Sequence, residues 1–570
     1  MIRFRQELHA IWLLSFCLVG PGVAEDPADL VLHGGKIVTI DESQPQAQAL
    51  AVRGDRIVAV GSDRQIQPLI GDQTQVIDLQ GKLAVPGFIE GHGHFVGLGQ
   101  SMMTLDLTQA ETWEDIVDQV RQAAQSTPRG EWIVGRGWHQ SKWLSPPEPN
   151  VDSYPVHRSL SLATPYHPVL LEHASGHMSF ANQMAMDLAG VDSTTPDPRG
   201  GEILHDKDGR PSGVFREAAQ VLVDVRRSTS EQQRREVLTA VELASEACLR
   251  NGITSFQDAG SSFDTIDVLR ELAERGQLKV RLWVMVRDSD SRLVELLPSA
   301  RTIGAGNNYL TVRAIKQSID GALGAHGAWL LKPYADLPSS TGLNTTSISA
   351  IRHSAQLAIE HDYQLCVHAI GDRANREVLN IFEDTFVKHR SHHSRRWRIE
   401  HAQHIDLSDI PRFAQLGVIA SMQGVHCTSD GVFVTDRLGV QRAKQGAYVW
   451  SSLLSSGAVV INGTDAPVEA VDPLASIYAS VTRRLADGSD FFPEQCMTRE
   501  QALRSYTLSS AYAAFEESLK GSLTPGKLAD VVVLSSDILT CPADEIPRTK
   551  VLYTIVAGRV AFADPSVSKE

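Results

Sequence analysis

The chain has 570 residues, of which 42% are hydrophobic and 21% charged, an ordinary globular composition too long for one small unit. Its formal charge is -15, or -16 once residues 1–24, with Arg3, Arg5 and Glu7, are set aside. That balance argues against phosphate-backbone binding as the main task and says little about a small-molecule substrate, the partner expected on other grounds.

The first segment reads as an export signal. Arg3 and Arg5 precede the apolar run Ile11–Val19, and Gly22-Val23-Ala24 offers small residues before Glu25. The apolar run is too short for a stable membrane span, so residues 1–24 are expected to be a signal peptide of an exported protein. Short strands follow at 30–32, 36–40, 49–52 and 56–60, separated by Gly34-Gly35, Asp41-Glu42 and Gly54-Asp55. The C-terminal end repeats the style at 530–534 and 551–556. Each end is thin for a core of its own, so the two are expected to pair into one small β-sandwich from residues 25–84 and 516–570.

Between them, residues 85–515 alternate strand and helix. Candidate strands fall at 83–89, 252–256, 279–286, 310–315, 364–367, 397–400, 418–421 and 459–462. A helix over about 231–250 opens on Ser230 and Gln233 at capping-box spacing, with Val237, Val241, Ala244 and Cys248 on one face. Eight such strands predict an α/β fold, a (β/α)8 TIM barrel. The gap between the first two strands is too long for one crossover and predicts an inserted α/β lobe over about 100–225, with strands at 132–134 and 168–171 and a hairpin around Arg199-Gly200-Gly201. Five widely spaced cysteines remain beyond residue 24 and suggest no disulfide framework.

Barrel active sites lie at the C-terminal strand ends. The first strand leads into His92-Gly93-His94, where the i, i+2 spacing puts two imidazoles on one face. The fourth carries Lys316, the fifth runs into His368, the sixth into His401, and the eighth into Gly463-Thr464-Asp465. Singly, each histidine reads as a core residue and Lys316 as a surface lysine. Jointly they suit zinc or a similar divalent ion.

These motifs resemble the amidohydrolase superfamily, and within it amidohydrolase family 3, which includes N-substituted formamide deformylase-like proteins. The matching stretches are Pro86–Phe95, Ser175-Gly176-His177, Lys316 with Asp320-Gly321, His368–Asp372, Glu400-His401-Ala402, Gly463–Val468 and Gly521–Asp530. The resemblance implies that His92 and His94 ligate one metal, that His368 and His401 serve a second, and that Lys316, N6-carboxylated, bridges them. It makes Asp465 both a ligand and the catalytic proton carrier. Two departures stand out: Glu90 where many relatives have Asp, and His326 where relatives often have Arg.

The implied activity is a metal-dependent hydrolase with two divalent ions, expected to be Zn2+. A metal-activated hydroxide attacks an amide-type carbonyl, and Asp465 moves the proton to the leaving nitrogen. An N-acyl or N-formyl amide is the expected substrate. An ester or lactone hydrolase on the same metals, or an exported binding protein without catalysis, are the alternatives. His177, Trp138 and His326 are the candidate substrate contacts, with local core as the competing reading for Trp138 and Trp143. His426, after the seventh strand, is a further candidate to face the site. His404 is expected to support it or lie at the surface, and the basic cluster 389–396 is expected to be a solvated loop.

Overall fold

The computed structural model describes residues 26–223, 230–390 and 395–567. The export signal and His392 and His393 of the basic cluster lie outside the described residues. Among those described, no helix is long and apolar enough to cross a membrane.

The centre of the molecule is a parallel barrel of eight strands: β1 (Phe88–Gly93), β2 (Ile253–Ser261), β3 (Arg281–Val286), β4 (Leu310–Ser318), β5 (Gln364–Ala369), β6 (Arg398–His401), β7 (Ile419–Gln423) and β8 (Val460–Gly463). Neighbours pair in parallel from β1 through to β8. Each strand is short and almost wholly buried, as expected where helices cover the outer face. The helix Ser230–Arg250 buries Ala240, Val241, Ala244 and Cys248. It approaches the helix Phe95–Ser101 so closely that a Cβ on Gly99 would stand 1.9 Å from the carbonyl oxygen of Ala240.

The apolar run at 83–89, expected as one strand, divides at Gly87. Leu83–Pro86 pairs antiparallel with Val531–Leu534, whereas Phe88–Gly93 enters the barrel. The physical reason is crowding: a Cβ at Gly87 would lie 2.3 Å from the Thr254 hydroxyl, so the chain passes there without a side chain. Strands from the two chain ends form a four-stranded sheet (Arg56–Gly61, Ala49–Arg53, Leu30–His33, Gln75–Asp78) and a six-stranded sheet that includes Lys36–Val38, Val531–Leu534 and Val551–Val556. Leu30, Leu50, Val52, Ala84, Val533 and Ile555 belong to one apolar cluster shared by both sheets. Arg281 at the start of β3 is fully buried and binds Asp530 through two bonds of 2.8 and 3.1 Å, tying the barrel to the C-terminal strands.

The stretch between β1 and β2 builds a mixed six-stranded sheet in the order Gly201–His205, Pro211–Glu217, Met178–Ala181, Val169–His173, Ile133–Trp138, Leu105–Asp106. The hairpin turn here falls after His205 rather than at Arg199-Gly200-Gly201, which leads into its first strand.

Candidate active site

β1 and β8 meet without a backbone ladder among the described residues, and the bonds between them involve the candidate ligands themselves. The Asp465 N–H donates to the His92 carbonyl at 2.8 Å, and the His94 N–H to the Ala466 carbonyl at 2.7 Å. Glu90 Oε1 accepts the Thr464 N–H at 2.5 Å, and its second oxygen lies 3.2 Å from the Thr464 hydroxyl. Two glycines permit the approach. A Cβ at Gly91 would lie 2.4 Å from the Asn462 carbonyl oxygen, and one at Gly463 would lie 2.6 Å from the His92 backbone nitrogen.

His92 lies on β1, while His94 caps the helix Phe95–Ser101 with extended φ, ψ of -115° and 90°. The i, i+2 geometry therefore persists past the strand end. Their Nε2 atoms lie 3.4 and 3.3 Å from Asp465 Oδ1. Asp465 (φ 57°) and His401 (φ 72°) both occupy left-handed backbone, a strain of about 1–3 kcal/mol for a non-glycine residue, which marks functional sites more often than scaffolds.

The imidazoles converge. Ring centroids of His92 and His401 are 4.7 Å apart, and those of His368 and His401 are 4.5 Å apart. Potential ligand atoms of His92, His401 and Asp465 all lie within 4.8 Å of one another. His426, on the first turn of the helix Gly424–Leu438, has its Nε2 3.9 Å from Asp465 Oδ2 and stacks over His401. It faces the site.

Polar neighbours fix the orientation of these groups. His92 Nδ1 pairs with Glu400, which Arg398 holds through bonds of 2.6 and 2.9 Å. His401 Nδ1 bonds Gln423 Oε1 at 2.8 Å. Asp320 accepts the N–H groups of Ile370, Gly371 and Trp329 at 2.8–3.0 Å and lies 3.5 Å from His368 Nε2. Glu400, Arg398, Gln423 and Asp320 received no role from the sequence. The available signal was alternation: Arg398 and Glu400 share one face of β6, and two buried charges on one face need each other.

Burial, reinforced by neighbouring cationic groups, keeps His368 and His401 well below the usual histidine range. Burial opposes ionisation of Asp465, but contacts with His92 and His94 outweigh it and hold the carboxyl well below its usual range. Lys316 on β4 is buried, makes no hydrogen bond or ion pair among the described residues, and is pushed down to about 8, first by burial. Neutral imidazoles and an ionised carboxylate are the ligand forms of these groups. His92 Nε2, His368 Nε2, His426 Nε2 and Asp465 Oδ1 are buried without hydrogen-bond partners among the described residues. Orphaned donors and acceptors so concentrated fit a divalent cation, since unpaired buried polar atoms are otherwise costly.

Two expected substrate contacts are elsewhere. Trp138 is fully buried in the lobe core with Trp113, Trp143 and Phe180, its indole N–H donating to the Leu171 carbonyl at 3.0 Å. His326 turns toward Asp336 (3.3 Å) and Tyr334 in the loop after β4, and lines no part of the cleft above the cluster. His177 does line that cleft, with His368, His401, His426, Asp465 and Phe433. Arg136 of the lobe donates to the carbonyls of Ala174 (3.2 Å) and Pro467, joining the turn before His177 to the turn after Asp465. His404 is buried beside Tyr448, outside the cleft lining. Arg395 and Arg396 are engaged with Asp362 and Glu517.

The amidohydrolase family profile matches residues 75–562. The chain belongs to the amidohydrolase family, and with it to the metal-dependent hydrolases. It is 33% identical over 549 residues to the protein LONG AFTER FAR-RED 3 of Arabidopsis thaliana, spanning 94% of this chain and 92% of that protein. It is 27% identical over 544 residues to N-substituted formamide deformylase of Arthrobacter pascens, spanning 94% and 98% of the two chains. Among solved structures, an uncharacterized metal-dependent hydrolase from Pyrococcus horikoshii superposes with a TM-score of 0.71 at 25% identity, covering 90% of this chain and 99% of the other.

Proposed function

We propose that the protein hydrolyses the C–N bond of a small non-peptide amide, an N-acyl or N-formyl compound. In this reading two divalent cations, zinc by the imidazole and oxygen donor set, are held by His92, His94, His368, His401, Asp465 and an N6-carboxylated Lys316. The observation that carries the reading is the group of orphaned ring nitrogens gathered about an ionised Asp465. The deformylase relative supports the choice of bond.

When bound, such cations lower the pKa of a water to about 7 and polarise a carbonyl oxygen. The residues of the chain do the rest. Asp465 accepts the proton of the attacking water, and its strained turn, bonded to the His92 carbonyl, keeps the carboxylate between the rings. The same carboxyl then returns that proton to the departing nitrogen. Lys316 supports its own role by making no ion pair among the described residues: an amine that burial lowers toward neutrality is the form that takes up carbon dioxide, and the resulting carbamate is an anionic oxygen donor where the ammonium was none.

The test compares wild type with Asp465→Asn on matched panels of N-substituted formamides, other amides and esters, with metal content measured in both. The variant should keep its fold and lose activity by at least about a thousandfold. Near-normal turnover removes Asp465 from the chemistry. Faster hydrolysis of esters than of any amide points to the ester or lactone reading, and a protein purified without chelators that contains no metal overturns both. Intact mass in bicarbonate buffer, before and after acid treatment, reads out the carbamate on Lys316.

A further inference from the structure

The inserted lobe contributes a polar pair that the proposed metal chemistry does not use. Strands Met178–Ala181 and Pro211–Glu217 run antiparallel with Met178 opposite Arg216, so His177 falls opposite Glu217. The Glu217 N–H donates to the His177 carbonyl at 2.9 Å. The side chains meet as well, with His177 Nδ1 2.8 Å from Glu217 Oε2.

Glu217 is held there against two costs. Its backbone sits at φ 50°, ψ -124°, a conformation that costs a non-glycine residue about 1–3 kcal/mol. Its carboxylate enters a niche in the loop after β4 that only glycines leave open: a Cβ at Gly321 would lie 2.0 Å from Oε1, and one at Gly327 would lie 2.7 Å away. The side chain is 8% exposed, and Oε1 has no hydrogen-bond partner among the described residues. A buried carboxylate in strained backbone whose one side-chain hydrogen-bond partner among the described residues is His177 serves that partner. What it fixes is the His177 ring. With Nδ1 engaged, Nε2 is the nitrogen left for the cleft, and it makes no hydrogen bond among the described residues. The ring centroid is 5.1 Å from that of His368, on the wall shared with His401 and Asp465.

We propose that Glu217 is a positioning residue that turns Nε2 of His177 onto the carbonyl oxygen of the substrate, so that the lobe supplies a hydrogen-bond donor to the reaction. The inference rests on the hydrolytic reading above and adds no bond-breaking step. The carboxylate orients the ring and strengthens its hold on the proton, and Nε2–H donates to the oxygen as negative charge builds there.

The test is a double-mutant cycle on zinc-loaded protein with the formamide that wild type turns over fastest. Glu217→Gln should lower kcat about 10–100-fold and His177→Gln about 100–1,000-fold, with KM and metal content little changed. The double variant should be no worse than His177→Gln, because the two act as one unit, and Glu217→Asp should recover part of the loss. Independent, multiplying effects, a change confined to KM, or wild-type kcat in Glu217→Gln would overturn the proposal. If wild type hydrolyses neither amides nor esters, the hydrolytic reading has failed. The pair is then judged by affinity for acetohydroxamate, a carbonyl-bearing chelator. A loss of about tenfold or more in His177→Gln supports the contact, and equal affinity overturns it.

Discussion

Among single residues, Glu400 has the most consequences for the least sequence signal. It is fully buried, it neutralises the fully buried Arg398, and it sets which nitrogen of His92 is free. Burial opposes its charge, but Arg398 and His92 hold it well below the usual carboxylate range. Glu400→Gln is expected to lose about 3–5 kcal/mol of stability in urea unfolding, because the Arg398 charge is left without its partner. Metal affinity should fall about 10–100-fold through the misdirected His92 ring, which competition with a chromogenic chelator reads directly. A variant equal to wild type in both would show that the pair is dispensable. The ligand candidates at strand ends were legible because residue type and position coincide there. Glu400 was not, because alternation on β6 hints at its pairing with Arg398 but the contact with His92, 308 residues away in the chain, exists only once the sheet closes.

At the scale of elements, the inserted lobe is where sequence reading was most uneven. Its existence followed from the long gap after β1, and its two parallel strands appear as Ile133–Trp138 and Val169–His173. The roles of its aromatic residues did not follow, since tryptophans look alike in a core and in a pocket. Trp138 stacks on Trp143 at 5.9 Å and meets Phe180 edge-on, in the lobe interior. Trp138→Ala should therefore cost about 3–5 kcal/mol in thermal or urea unfolding. Trp138→Phe should keep KM and kcat close to wild type, and a large change in KM with unchanged stability would return Trp138 to the pocket. The His177–Glu217 pairing was hidden for a related reason. It depends on antiparallel register between two strands that a helix and a third strand separate in the chain, and a one-residue slip would send the two side chains to opposite faces.

For the whole molecule, the barrel alternation was readable because buried parallel strands are short apolar runs at regular intervals. The split at Gly87 was not, since the same apolar residues serve two sheets. The closure between β1 and β8 was equally invisible. It consists of the Asp465–His92 and His94–Ala466 backbone bonds and the Glu90–Thr464 contact, all within the candidate site. A cation binding only the closed arrangement should stabilise the fold by about 4 kcal/mol at a thousandfold excess over its Kd. Calorimetry before and after chelation measures this, and an unchanged Tm with metal demonstrably removed would separate the site from the closure.

The two sides of that closure lie 374 residues apart in the chain, in the Glu90–Thr464 bond. During synthesis His92 and His94 emerge long before Asp465, and nothing in the first half of the protein can complete their surroundings. The centre is thus assembled by the last barrel strand to be made. On the proposed reading, a truncated or stalled chain would carry the opening histidines without Asp465, so activity itself would certify that the whole barrel has been read and closed.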